Sequence, residues 1–277
     1  MQIDLYERRA NASSPFLRGS GIEIGAGTSP QRLPPGAEAL YFDSRNVEEL
    51  NKHFGAPIHY DVHSLASFET HFQSGADFLI AHHVLEHAPD PIGTLRTWHK
   101  LVKHGGTFVL SVPYLALCPD KDRLLPDLEH LVLDHLLGRN GDSFESREHV
   151  LSFLCSWVDD AHGLAELSKS QCCRRILSES KRSGHDFHWH AFDHQLFRDV
   201  LYAAALLDDC VPTLFYSTEP NEDVLDILAV YTLEPRTVNV IQDQALRVIL
   251  ELHSIAEKVQ LAARILLERI PKTIVSS

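Results

Sequence analysis

The sequence predicts an α/β protein built on a doubly wound, mostly parallel sheet, with a helical insertion and a long C-terminal helix. Short apolar runs alternate with helical patterns through the first 115 residues. Residues 118 to 190 then break the rhythm with charge and histidine. Two strand-like runs follow each other before an apolar repeat at helical spacing closes the chain.

Taken in order, strands are expected at 21–25 (GIEIG), 38–43 (EALYFD), 57–60 (PIHY), 76–82 (ADFLIAH) and 106–112 (GTFVLSV). They are short and largely apolar, as strands covered by helices on both faces should be. Between them the clearest helix is PIGTLRTWHKLV, where Ile92, Leu95, Trp98 or His99, and Val102 recur at helical spacing. The insertion holds helical pieces such as LPDLEHLVLDHLLG and SREHVLSFLCSWVDD and no convincing strand. DHQLFRDVLYAAALL restores an amphipathic helix with Asp193 as its N-cap. VPTLFYSTE and DVLDILAVYTL, joined by the turn-rich STEPNED, read as an antiparallel pair.

From Val238 to Ile270 the pattern is one long helix. Ile241, Ala245, Val248, Leu252, Ile255, Val259, Ala262 and Leu266 alternate steps of four and three. Such a stripe suits either packing on its own domain or a homodimer through residues 238–270.

Composition removes several function classes. A formal charge of −13 repels a phosphate backbone, so nucleic acid is not an expected partner. No apolar run is long enough for a membrane span, and the N-terminus lacks the blocks of a signal peptide, so a soluble, cytoplasmic protein is expected. The five cysteines show no CxxC pairing and read as reduced thiols. Eighteen histidines, grouped in AHHVLEH, EHLVLDH and GHDFHWHAFDH, call for metal or proton chemistry or for neither.

The turn GIEIGAGTSP follows the first strand. Its third fingerprint position is Pro30 where a dinucleotide motif wants glycine, and the GK[ST] end of a phosphate loop is absent. Gly25 and Gly27 therefore serve a ligand that approaches backbone and need not carry phosphate. Further candidates stand where the strands end, the binding edge of such sheets. Glu23 precedes the turn, Asp43 ends the second strand and can accept from a ribose diol, and Asp61 can accept from an exocyclic amine. His82 and His83 end the fourth strand.

Together these segments, with YDVHSL, VLEHAPDP and HGGTFVLSVPY, resemble class I S-adenosylmethionine (SAM)-dependent methyltransferases of the small-molecule branch, and DLEHLVLDH, SREHVLSF and FHWHAFDHQLF are similar to its glycan-associated members. The resemblance implies a Rossmann-like seven-stranded sheet of order 3-2-1-4-5-7-6 with strand seven antiparallel. It implies a SAM-binding domain in 1–117 and 191–236, a helical insertion or lid in 118–190, and a C-terminal helix in 237–277. The cofactor would meet Glu23, Gly25, Ala26, Gly27, Asp43, Asp61, Val62 and His82. Ser29 stands where many members have a third glycine, so a local change in the turn is expected there.

The branch points to O-methylation of a sugar, a glycan precursor or another small-molecule hydroxyl, as in polysaccharide biosynthesis. Such a reaction aligns acceptor and methyl group and needs a base. His83, His188 and His190 are the candidates, the last two sharing one face if FHWHAF is extended, with His130 and His149 as further possibilities. His83, Glu86 and His87 with His188 or His190 could hold a divalent metal, although hydrogen bonding of the turn is the preferred role for Glu86 and His87. HVLEH also matches the spacing of an inverted zinc peptidase, but APDP leaves its helix only about one turn. The competing function is a non-catalytic scaffold on the same fold, assembling through the C-terminal helix.

Overall fold

The computed structural model describes residues 4–138, 149, 152, 188–219, 224–236, 248 and 251–259. Seven strands form one sheet: β1 (Gly19–Ile24), β2 (Ala37–Phe42), β3 (Val62–His63), β4 (Ala76–His82), β5 (Val102–Pro113), β6 (Cys210–Ser217) and β7 (Asp226–Pro235). Their order is β3-β2-β1-β4-β5-β7-β6. The first five run parallel, while β7 is antiparallel to both β5 and β6. This is the Rossmann-like order the sequence led us to expect, including the late hairpin.

Alternation in the central strands explains why both faces are dry. Leu79 and Ala81 of β4 and Phe108 and Leu110 of β5 join one core cluster; Phe78, Ile80 and Val109 join the other. The larger cluster takes in α4 (Pro91–His99) and a later helix at His194–Leu207. The smaller is closed by Leu17 with Leu228 and Val230.

The helices begin where local chemistry predicts. α2 (Val47–Phe54) opens on an Asn46–Glu49 capping box and ends at Gly55, whose φ of 63° is left-handed. Asp90 caps α4 by accepting from Gly93 N. Asp193 accepts from Leu196 N and starts the helix at His194–Leu207, as expected from the sequence. Two more are α3 (Phe68–His71) and α5 (Leu128–Leu136), and the His194–Leu207 helix is α6.

The structure departs from expectation in four places. Helix α1 (Leu5–Ser13) precedes the sheet, where no element was anticipated. The first crossover, residues 25–36, contains no helix, because Pro30, Pro34 and Pro35 withhold amide donors and fix φ. The third strand is Val62–His63 rather than 57–60: Pro57 cannot donate, and Ile58 N turns instead to Asn51 Oδ1 at 2.6 Å. β5 starts earlier, at Val102, across an irregularity in its pairing with β4.

Of the expected insertion, the described residues hold a 3-10 turn at Pro119–Asp122, helix α5, and the return at 188–192. Much of 118–190 lies outside the described residues. In the C-terminal stretch, residues 251–259 are helical. Val248 and Ile255 are buried in the main core with Leu252 packed beside them. Burying each such side chain contributes about 1.5–3 kcal/mol, so these seam positions add to the chain's own core. The other expected seam residues except Val259 lie outside the described residues.

Candidate functional site

The carboxyl ends of β1, β2 and β4 open into a cleft of about 700 Å³. Its floor is the glycine turn. Gly25 and Gly27 have φ of 67° and 57°, a region open to glycine. A Cβ on Gly25 would lie 2.7 Å from Val84 Cγ2, and one on Gly27 3.0 Å from the Phe54 ring. Tyr60 Oη donates to Gly27 O at 2.6 Å and closes the turn from below.

Gln31 takes the place of the missing crossover helix. Its amide N donates to both oxygens of Glu23, at 3.0 and 3.1 Å. Its Nε2 donates to Ser13 Oγ of α1, so its Oε1 is left to accept from His82 Nε2 at 2.6 Å. His82 Nδ1 then accepts from Ser111 Oγ at 2.9 Å. The network assigns His82 a single neutral tautomer. Desolvation and the Arg9 charge push its pKa well down. Glu23 is pushed up to about 7 by burial, against the opposing pull of the Gln31 amide and Arg9. Asp43, at the end of β2, accepts from Arg45 N at 2.9 Å and keeps its carboxylate at the cleft.

Imidazoles line the opposite wall. His83 has a φ of 55°, uncommon for a residue other than glycine, and accepts from Arg9 Nη2 at 2.9 Å through Nε2. His87 and His188 meet edge to face, ring centres 4.9 Å apart. His188 Nδ1 lies 2.5 Å from Oδ2 of buried Asp120. Burial alone would raise the Asp120 pKa, but the His188 hydrogen bond and the charges of His188 and Arg123 bring it below the usual carboxylate value. Arg123 also donates to His188 O at 2.8 Å and Trp189 O at 3.0 Å, and Trp189 N donates to Glu86 O at 2.6 Å. The return segment is thereby clamped on both sides of the imidazole.

A methyltransferase domain family model matches residues 4–154, more than half of the 277-residue chain. The chain belongs to this family of methyltransferase domains. No curated protein sequence matches it. The solved structures it resembles are distant. CurJ carbon methyltransferase is 15% identical with a TM-score of 0.38, the match covering 79% of this chain and 49% of that one. Human N-acetylserotonin methyltransferase in complex with SAM is 14% identical at TM-score 0.41, covering 81% and 50%. The plantazolicin methyltransferase BpumL in complex with SAH (S-adenosylhomocysteine) is 13% identical at TM-score 0.38, covering 79% and 76%. The chain thus spans about half the length of the first two.

The cleft of this methyltransferase suits its cofactor. Gly25 and Gly27 line the cleft without side chains, so a nucleoside can lie against backbone there, and no helix N-terminus stands at the turn to demand a phosphate. Of the residues expected from sequence, Glu23, Gly25, Ala26, Gly27, Asp43, His82, His83 and His188 line the cleft together. Asp61, Val62 and His190 do not. Asp61 is exposed, and Val62 pairs with Tyr41. His190 is turned away from His188 and fully buried beside Asp134. Burial and the neighbouring His149 push its pKa down to about 3, leaving a neutral imidazole. The two histidines of FHWHAF thus join different clusters, since Trp189 between them is held by Glu86 and Arg123.

Glu86, His87 and His188 each place a donor atom within 4.8 Å of the others. Among the described residues neither Glu86 oxygen has a hydrogen-bond partner, and burial pushes this carboxyl up to about 8. Sequence reasoning missed Arg9, Asp120, Asp226 and Gln31. Only Gln31, next to the proline that breaks the fingerprint, carried a local signal.

Proposed function

We propose that this methyltransferase methylates a hydroxyl of a sugar or glycan precursor, with His188 as the general base and Asp120 as its positioning partner. The observation that carries the reading is the His188–Asp120 hydrogen bond at the wall of the cofactor cleft. An imidazole whose Nδ1–H is held by a carboxylate carries its lone pair on Nε2, the arrangement that suits proton removal from a hydroxyl.

SAM, when bound, supplies a methyl group activated on a sulfonium. Gly25 and Gly27 would let the nucleoside approach, Asp43 would accept from its ribose hydroxyls, and Glu23 would face its cationic end. The exposed ring of Phe54 offers a stacking face for adenine where Asp61 and Val62 were expected. His83, with Nε2 taken by Arg9, and His87 form a polar wall that favours a hydroxylated acceptor over an apolar one. His188 would take the acceptor proton as the methyl carbon passes from sulfur to the acceptor oxygen, with SAH as the leaving group. This reading places the enzyme in reactions that build or decorate polysaccharides.

The test is SAM-dependent formation of SAH with a panel of sugars and nucleotide sugars, products located by mass spectrometry. His188→Ala is expected to lower kcat about 10²–10⁴-fold while SAH affinity by calorimetry stays the same. Unchanged kcat in that variant, or a methyl group found on nitrogen or carbon, overturns the proposal.

A further inference from the structure

Outside the cleft, four donor side chains meet, two of them buried and His130 39% exposed. His130 and Asp134 lie one turn apart on α5 and so share a face. His149 and His190 come to them from other parts of the chain. One donor atom from each of the four lies within 4.8 Å of every other. Asp134 and His190 are each 1% exposed, and His149 is 11% exposed.

The spacing does not suit hydrogen bonding. The Nε2 atoms of His130, His149 and His190 stand 3.3, 3.4 and 3.7 Å from the same Oδ2 of Asp134. These exceed the usual N–H···O length, and three N–H groups would crowd one oxygen. Ligands at about 2.0–2.1 Å around a tetrahedral ion, however, lie about 3.3–3.4 Å from one another.

The tautomer of His149 sharpens the point. Its Nδ1 is 3.0 Å from Trp189 O, and a carbonyl only accepts, so Nδ1 carries a proton and the neutral imidazole has its lone pair on Nε2. That lone pair faces a carboxylate oxygen, an arrangement that wants a cation between them. The Nδ1–H···O=C bond is also the usual way a metal-binding histidine is oriented. His190 Nε2 lies 3.3 Å from Pro89 O and so carries the proton, which leaves the lone pair on Nδ1, a buried atom with no hydrogen-bond partner among the described residues.

We infer that His130, Asp134, His149 and His190 bind a divalent transition-metal ion in tetrahedral geometry, zinc being the ion that three imidazoles and one carboxylate suit. The ion staples α5 to the return segment at 188–192. The site is distinct from the Glu86, His87 and His188 group at the cleft and does not depend on the identity of the acceptor.

Protein without a histidine tag, made in zinc-supplemented medium and desalted, is expected to carry one zinc per chain by mass spectrometry. Demetallated protein should take up Co²⁺ with the strong visible bands of tetrahedral coordination. His149→Ala should bind the ion at least about 100-fold more weakly, whereas His87→Ala should keep it. Should His149→Ala fail to fold by circular dichroism, zinc-edge X-ray absorption of the wild type decides. A shell of four nitrogen and oxygen scatterers supports the site; sulfur or a six-oxygen shell overturns it. Metal-free wild type that takes up no Co²⁺, or full metal affinity in a folded His149→Ala, overturns it as well.

Discussion

Arg9 Nη2 donates to His83 Nε2 at 2.9 Å while its Nε donates to Asp226 Oδ2 at 2.8 Å. One guanidinium thus ties the N-terminal helix to the cleft and to the first residue of β7. Arg8 completes the arrangement by donating to Asp226 Oδ1 and Thr218 Oγ1. Asp226 is fully buried, and its pKa is brought down to about 2: burial opposes this, but His83 and Arg9 outweigh it.

Removing that carboxylate strands two largely buried guanidinium groups. Asp226→Ala is expected to lower the unfolding free energy by about 3–5 kcal/mol, measured by urea denaturation. An unchanged urea midpoint would show that α1 is not held through this pair.

Glu23 gives the protein a pH dependence of unusual sign. Its pKa is about 7 in the folded state against an ordinary value of 4.5. Between these values the unfolded chain has released the proton that the folded chain keeps, so stability falls as pH rises. Over the window the loss is about 3 kcal/mol, complete above the folded value. Urea titrations across this range should show the decline in wild type and not in Glu23→Gln. An equal decline in the variant would assign it to another group.

Gly25→Ala is expected to abolish calorimetric binding of SAH and to cost about 1–2 kcal/mol of stability. The new methyl must occupy left-handed backbone space and would sit 2.7 Å from Val84 Cγ2. Retained affinity would mean that the cofactor does not pass over this turn.

Asp43→Ala should weaken SAH binding about 10–100-fold, the range for losing charge-assisted hydrogen bonds, with little change in the thermal midpoint. Its folded-state partners, Arg45 N and Ser44 Oγ, belong to its own exposed turn, so the effect should fall on binding. Equal affinity in variant and wild type would remove the ribose role.

Much of this protein was readable locally. Apolar periodicity marks which residues leave water, and that placed β1, β2, β4, β5 and the β6–β7 hairpin to within a few residues. The glycine pair and Asp43 were legible because turns and strand ends have their own backbone chemistry. Asn46, Asp90 and Asp193 likewise cap the helices that follow them.

Tertiary structure alone decided the rest. Asp120 and His188 are 68 residues apart, and Arg9 and Asp226 are 217 apart. Neither pairing has a local signature, because a long-range contact depends on where the chain returns and not on what flanks each residue. His188 and His190 looked equivalent in FHWHAF, yet backbone bonds at Trp189 send one to the cleft and the other to Asp134. Sequence periodicity therefore determined the sheet and its binding edge, whereas docking of α1 and of the return segment determined which charged groups meet there.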